Sequence, residues 1–100
     1  MENQHRKIKG YRELSQEEID LMNRIKAKGA ELMALQEELV DLLDEQGRTK
    51  ACDAAENTEK HAELVRFAAA DPRRWAAIGK TDIQTGIMAL VRAVAQPEGV

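Results

Sequence analysis

The stretch LSQEEIDLMNRIKAKGAELMALQEELVDLLDEQG, residues 14–47, decides the fold of this 100-residue chain. Ser15 and Glu18 have the spacing of a capping box, in which each side chain satisfies a free backbone N–H of the other residue. Gly47 is a residue type that commonly ends helices, so we predict a first helix over 15–46. Between these signals apolar residues recur at the helical period, at Ile19, Met22, Ile25, Leu32, Met33, Leu35, Leu39, Val40, Leu42 and Leu43.

The rest of the chain predicts a return leg in two pieces. Residues 47–57 lack a strong apolar period, so we expect them to form the tip of a hairpin. Asp71-Pro72 reads as an N-cap and first helical residue, where the missing proline N–H would be unpaired anyway. We therefore predict an all-α antiparallel helical hairpin in one domain. A basic arm covers 1–14, and a kinked or broken return leg covers 58–96.

The composition indicates that one copy of the hairpin has little interior. The only aromatic residues are Tyr11, Phe67 and Trp75. A chain of this length buries only about 60–65% of its unfolded surface. We therefore expect the hairpin to assemble as a homo-oligomer.

The net charge of −3 is unevenly distributed along the chain. Residues 1–12 carry +3, residues 13–71 carry −8 and residues 72–100 carry +2. A duplex-DNA binder usually has a net basic domain, so the pattern favours a small anionic ligand and no duplex nucleic acid. Ordinary surface charge is the alternative explanation.

Several classes of protein and site find no support in the sequence. A single cysteine, Cys52, excludes an internal disulfide and fits a reducing cytoplasm. No apolar run approaches the roughly 20 residues that span a bilayer, and we expect no signal peptide, since the N-terminal residues lack the apolar h-region of one. His5 and His61 have no partner at metal-ligand spacing, and no catalytic triad can be assembled. We expect a cytoplasmic protein without enzymatic activity, membrane association, metal or cofactor.

Two groups of residues are candidates for ligand contact in the last helical segment. Arg73 and Arg74 follow Pro72 at a helix N-terminus, where phosphate groups are attracted. Thr81, Gln84 and Thr85 form a polar cluster on an otherwise apolar helix. This cluster faces either water, or a polar ligand or neighbouring chain.

Glycines interrupt both long helical patterns. Gly29 lies in the first, and Gly79 and Gly86 lie two turns apart in the last. Each costs roughly 1 kcal/mol relative to alanine. We expect close helix packing at these positions, within or between chains, or the close approach of a ligand.

Tyr11 and Lys26 are further candidates for ligand contact outside that segment. Tyr11 supplies a stacking ring in the basic arm, and Lys26 lies about 16 Å along the helix from its cap. The arm between Ser15 and Tyr11 spans at most about 14 Å. Within one chain the two residues meet only by an unusual fold-back, whereas across two antiparallel copies they meet easily. If both contact one ligand, the pocket lies at a subunit interface.

Two blocks of this sequence resemble the small phage proteins that block CBASS immunity by sequestering cyclic oligonucleotides. They are KGYRELSQEEIDLMNRIK, residues 9–26, and RWAAIGKTDIQTGIMALVRAV, residues 74–94. Residues 47–70 carry no such signature. The resemblance implies a homohexameric sponge that binds cyclic dinucleotides, such as 3′,3′-cGAMP, and cyclic trinucleotides without cutting them. CBASS effectors in the cytoplasm of the infected bacterium then stay inactive.

The resemblance also assigns roles to individual residues. In the family a tyrosine stacks on a nucleobase and a lysine meets the phosphates, and Tyr11 and Lys26 fall at the matching positions. Base–aromatic stacking contributes about 1–3 kcal/mol per base, and lysine is a mobile point charge suited to phosphate. A second pocket for cyclic trinucleotides lies where several subunits meet. We place Arg73 or Arg74, with Thr81, Gln84 and Thr85, near that pocket.

Three other interpretations remain open at this point. In the first, the chain is a sponge of the same architecture that captures a cyclic ADP-ribose signal of Thoeris immunity. In the second, it is a helical interaction module that binds protein or DNA through Arg73, Arg74 and the basic arm. In the third, it is a purely structural oligomer that binds no small molecule.

Overall fold

The computed structural model describes residues 12–99, which form three helices. These are α1 (Gln16–Asp53), α2 (Thr58–Ala70) and α3 (Pro72–Ala95). They extend over 75 × 23 × 17 Å, with α2 and α3 returning antiparallel along α1. The predicted all-α hairpin with a broken return leg is confirmed over this range. Most of the predicted basic arm, including Tyr11, lies outside the described residues.

The start of α1 is the predicted capping box. The Glu18 backbone N–H donates to Ser15 Oγ at 3.1 Å, and the Ser15 N–H donates to Glu18 Oε1 at 2.9 Å. Both bonds satisfy donors that a helix N-terminus otherwise leaves free.

The end of α1 corrects the prediction, since the helix continues to Asp53 rather than ending at residue 46. The hairpin tip therefore occupies 54–57 instead of 47–57. The reason lies at Gly47, where a Cβ would stand 3.5 Å from the Phe67 ring. Because α2 packs against α1 here, tertiary contact offsets the helix cost of glycine, about 1 kcal/mol.

Ion pairs extend this contact between α1 and α2 toward the tip. Lys50 Nζ lies 3.3 Å from Glu63 Oε1 and 5.7 Å from the centroid of the Phe67 ring. The hydrogen bond from Arg66, together with the bond from Lys50, outweighs desolvation and lowers the pKa of Glu63 to about 2. The last two turns of α1 thus contact α2 through both this ion pair and the Phe67 ring.

The break in the return leg is at Asp71, and Pro72 begins α3 as predicted. Asp71 has left-handed backbone angles (φ 51°, ψ 51°), a conformation that Asp tolerates better than most residues. Its side chain makes no capping hydrogen bond. Instead its backbone carbonyl accepts from the N–H groups of Arg74 at 3.2 Å and Trp75 at 3.3 Å.

The seam between α1 and α3 is built from small residues. Gly29 is buried, and a Cβ there would stand 2.8 Å from Ile87 Cγ1. Ala76 is also buried, and its carbonyl accepts a 3.1 Å hydrogen bond from Gln36 Nε2. The core of the described chain is therefore a thin line of contacts, and most larger apolar side chains remain partly exposed. None of the three helices is long and apolar enough to cross a membrane.

Candidate ligand-binding groove

The two sides of the α1–α3 seam differ in chemistry. One side, which we call the leucine flank, is mainly apolar, with large side chains that are 45–60% exposed, although Arg24 and Lys28 line the same groove as Leu21. Gly79 also lies on this side, and a Cβ there would meet nothing within 4 Å. The leucine flank consists of Leu21, Leu32, Leu35, Leu39, Trp75 and Leu90.

The other side contains a mixed groove, which we call the lysine groove. It encloses about 450 Å³, within the usual range of ligand pockets. Lys26 and Lys28 are separated by about 200° around α1, so Lys26 lines this groove while Lys28 lines the opposite side. The lysine groove is lined by Lys26, Gly29, Ala30, Met33, Ile83, Gln84, Ile87 and Met88.

The lysine groove combines charged, polar and apolar groups. Lys26 offers an ammonium group suited to phosphate, and Gln84 offers both donors and an acceptor. Among residues 12–99, the ion pairs of lysines involve Lys28, Lys50 and Lys60 but not Lys26. The Lys26 ammonium is therefore available within this range to an anion from outside.

Methionines add adaptable apolar surface to the same groove. Met33 and Met88 both line it, and Met88 is 71% exposed. Thioether side chains are flexible and polarizable, so they adjust to flat rings. Met33 was predicted only as part of the apolar period of the first helix, and its pairing with Met88 was not predicted, because that pairing depends on how α1 and α3 align.

A second, charged groove lies further along the same side of the seam. Glu37 and Asp41 on α1 and Arg73 and Lys80 on α3 line it. The Arg73 guanidinium forms an ion pair with the Asp44 carboxylate. In a single copy, Arg73 is thus paired with Asp44 and lies in a groove that Glu37 and Asp41 also line.

The remaining residues predicted for a second site lie on the outward face of α3. Arg74 and Thr81 are seven positions apart and Thr85 is four further, so they share one face of α3. All three are exposed, and the Arg74 guanidinium carbon lies 5.3 Å from the centroid of the Trp75 ring. The opposite face of α3, with Ala76, Ile83 and Ile87, packs toward α1.

One copy therefore distributes the predicted site residues over several surfaces. Lys26 and Gln84 line one groove, Arg73 lines a neighbouring groove, and the outward face of α3 carries Arg74, Thr81 and Thr85. Tyr11 is outside the described range.

The beginning of the described chain is tied to one end of the hairpin stem, where α1 begins and α3 ends. Arg12 Nη2 donates to the Val94 carbonyl at 2.8 Å, and the guanidinium also pairs with the Glu18 carboxylate. The hydrogen bond that Arg12 donates to the Glu18 carboxylate, followed by the bond from the Ser15 backbone N–H, lowers the pKa of Glu18 to about 2. No local pattern predicts the contact between Arg12 and Val94, because the two residues lie far apart in the chain.

Metal-ion chemistry finds no support within residues 12–99. No group of three or more His, Cys, Asp or Glu side chains in this range is placed to hold a metal ion. The lysine groove offers a cation, an amide and thioethers, which are groups that can contact an anionic ligand with flat rings.

Comparison with known proteins gives matches that cover nearly the whole chain. The family model described as "Acb2/Tad1, hairpin domain" matches residues 3–95. The chain is also 62% identical to Anti-CBASS protein 2 of Pseudomonas phage JBD67. That alignment has 107 positions and covers 99% of each chain.

Proposed function

The chain belongs to the Acb2/Tad1 hairpin family, and from this membership we propose that it is an anti-CBASS protein of a phage. It binds cyclic di- and trinucleotide messengers, such as 3′,3′-cGAMP, and sequesters them without cutting them. CBASS effectors in the infected bacterial cell are then deprived of their activator. The relative's name, Anti-CBASS protein 2, supports the counter-defence role of this proposal.

The lysine groove is the observation that carries the binding proposal. It places the Lys26 ammonium and the Gln84 amide around an apolar floor that includes Ile83 and Ile87. A nucleotide presents a complementary group for each of these: a phosphate for the ammonium, a polar base edge for the amide and a ring face for the apolar floor. We assign Lys26 to the phosphates and Tyr11 to stacking on a base.

The two assigned residues come from different copies in this proposal. The Arg12 side chain is bonded to Glu18 and Val94 at the end of the stem, whereas Lys26 lies roughly 12 Å further along α1 than Glu18. Tyr11 precedes Arg12 directly, so it serves the lysine groove of a neighbouring copy. The complete pocket then forms only at a subunit interface.

The leucine flank supports the homo-oligomer in this proposal. Leu35 and Trp75 are 59% and 60% exposed in one copy, and contiguous apolar surface of this kind usually marks an interaction site. We propose that copies pack through this flank and that the complete assembly is a hexamer.

The second, trinucleotide-binding site is placed on the outward face of α3. Arg74, Thr81 and Thr85 share this face, and a cyclic trinucleotide needs cations and hydrogen-bond partners from several directions. Copies arranged around a symmetry axis would supply these groups together. Arg73 and Gln84 flank this face and complete the proposed set.

The test of the proposed function is calorimetry followed by recovery of the ligand. The protein is titrated with 3′,3′-cGAMP, a cyclic trinucleotide and cyclic ADP-ribose, and each complex is then denatured and chromatographed. We expect tight binding of the cyclic oligonucleotides and recovery of intact ligand. Recovery of linear nucleotide, or binding of cyclic ADP-ribose alone, would overturn the proposal; the latter result indicates a sponge for Thoeris signals.

A mixing experiment tests whether the pocket is shared between copies. Tyr11→Ala and Lys26→Ala proteins each lose affinity, but a mixture refolded together contains some pockets with both native residues. We expect the mixture to recover part of the high-affinity binding. Failure to recover any, with mixed assembly verified by mass, would place both residues in the same copy.

A further inference from the structure

Arg12 occupies the junction between the basic arm and the helical stem. Its Nη2 donates to the Val94 carbonyl at 2.8 Å, and its Nη1 lies 3.4 Å from Glu18 Oε1. The side chain thus bridges the N-terminus of α1 and the C-terminus of α3, two elements far apart in sequence.

Both partners of Arg12 are groups that favour a cation. Val94 lies in the last turn of α3, where carbonyls lack intrahelical donors and the helix dipole is negative. Glu18 is already oriented by the Ser15 N–H, which donates to its Oε1 at 2.9 Å. The guanidinium therefore binds a backbone carbonyl and a carboxylate that is itself held in place by a second hydrogen bond.

Only arginine has the geometry for this junction. Its planar guanidinium donates in several directions at once, whereas lysine is a point charge on a flexible stem. Two nitrogens reach Glu18 while one of them also reaches Val94. Substitution of Arg12 by lysine therefore keeps the charge of the side chain and removes its planar geometry.

We propose that Arg12 is the positioning residue of the ligand-binding arm. By tying the base of the arm to the last turn of α3, it fixes the point from which Tyr11 is presented, and so raises affinity for cyclic dinucleotides without touching them. The inference rests on the proposed function, since it concerns the same pocket. Preorganisation of a binding segment increases affinity because less freedom is lost on binding.

The first experiment measures 3′,3′-cGAMP affinity by calorimetry for Arg12→Ala and Arg12→Lys. We expect both to weaken binding about tenfold, since each removes the double anchor. If lysine instead preserves affinity, Arg12 acts through its charge, and the positioning role is overturned.

Glu18→Ala is a test for which the positioning role and simple electrostatics predict changes of affinity with opposite signs. Removing a carboxylate raises the attraction for an anionic ligand, whereas removing the Arg12 anchor lowers affinity. We expect a loss close to that of Arg12→Ala. Increased affinity would contradict the proposal.

Ser15→Ala is the matched control for Glu18→Ala. It removes the Ser15 Oγ of the capping box and leaves both the Ser15 N–H and the Arg12–Glu18 pair in place. We expect a lower melting temperature with affinity unchanged within about twofold, because N-cap loss acts on helix stability. A loss of affinity equal to that of Glu18→Ala would attribute the effect to helix fraying instead.

A double-mutant cycle with Tyr11→Ala separates this inference from the proposed function. If Arg12 acts through Tyr11, adding Arg12→Ala to Tyr11→Ala has no further effect on affinity. Equal losses in both backgrounds would make Arg12 an independent contact and overturn the positioning role. No effect of Tyr11→Ala itself would instead remove Tyr11 from the proposed function.

Discussion

The leucine flank and the lysine groove lie on opposite sides of one seam and share seam residues, yet their chemistry differs. Ile83 and Ile87 line grooves on both sides. On one side they are continued by half-exposed leucines and Trp75, and on the other by Lys26, Gln84 and methionines. In the proposed function, a hairpin with little interior uses one flank for assembly and the other for ligand binding.

Energetics favours this division. Full burial of a leucine side chain contributes about 1.5–3 kcal/mol, and the leucines of the flank still expose roughly half of their surface. Association through this flank would gain the remaining part of that energy. The lysine groove has less apolar surface to lose and retains an ammonium group that prefers water or an anion.

The largest expected effect comes from a charge placed on the leucine flank. Leu35→Asp introduces a carboxylate that an interface would have to desolvate, so we expect the assembly to dissociate into monomers and ligand binding to be lost. Native mass spectrometry and calorimetry measure both effects. Because Leu35 is 59% exposed in one copy, circular dichroism should still report a helical protein.

Val65→Asp is the matched control for the flank, since Val65 is 55% exposed but lies on α2. We expect its oligomeric mass to equal that of the unmodified protein. If Val65→Asp dissociates the assembly and Leu35→Asp does not, the leucine flank is not the interface.

The next effect distinguishes two lysines of α1. Lys26→Ala should weaken binding of 3′,3′-cGAMP by about 10- to 100-fold, the range expected for losing a charge-assisted contact with phosphate. Lys28→Ala should change affinity less than about twofold, because Lys28 lies on the other side of α1 and pairs with Glu31. Equal losses in calorimetry would mean that general surface charge attracts the ligand.

A smaller effect compares two glycines of the stem. In the monomeric Leu35→Asp background, Gly29→Ala should lower stability by about 1–2 kcal/mol, because its Cβ would stand 2.8 Å from Ile87 Cγ1. Gly79→Ala should raise stability by up to about 1 kcal/mol, since nothing lies within 4 Å of its Cβ. Urea unfolding measures both changes. A gain of stability in both variants would contradict the expected difference between the two glycines.

The smallest effect concerns acid titration at the two ends of α1. Glu18 and Glu63 have pKa values lowered from 4.5 to about 2 in the folded chain. A depressed folded pKa stabilises the fold above the unfolded pKa, and this stability is lost as pH falls from about 4.5 toward 2. We expect Glu18→Gln and Glu63→Gln each to flatten the dependence of urea midpoint on pH in this window. An unchanged slope would mean that these ion pairs are not maintained in solution.

The fold could be predicted from the sequence wherever its cause is local. Ser15 and Glu18 determine the start of α1 through a hydrogen-bonded pair three residues apart, and Pro72 determines the start of α3. The end of α1 depends instead on Phe67, which is distant in sequence and covers Gly47. Long-range packing of this kind overrides a helix-ending residue type, so the prediction placed the tip too early.

The candidate site was less predictable for the same physical reason. Lys26 was assigned by family resemblance, and its grouping with Gln84 and Met88 depends on the alignment of α1 against α3. That alignment is set at Gly29 and Ile87, and at Gln36 and Ala76. No local pattern encodes it. The contact between Arg12 and Val94 depends on the same alignment.

The most direct test of the division between assembly and ligand is native mass spectrometry with and without 3′,3′-cGAMP. We expect a homo-oligomer, a hexamer in the proposed function, whose mass increases by whole ligands. We also expect Leu35→Asp to yield an unliganded monomer. A monomer of the unmodified protein that takes up no cyclic oligonucleotide would contradict both the proposed assembly and the proposed binding.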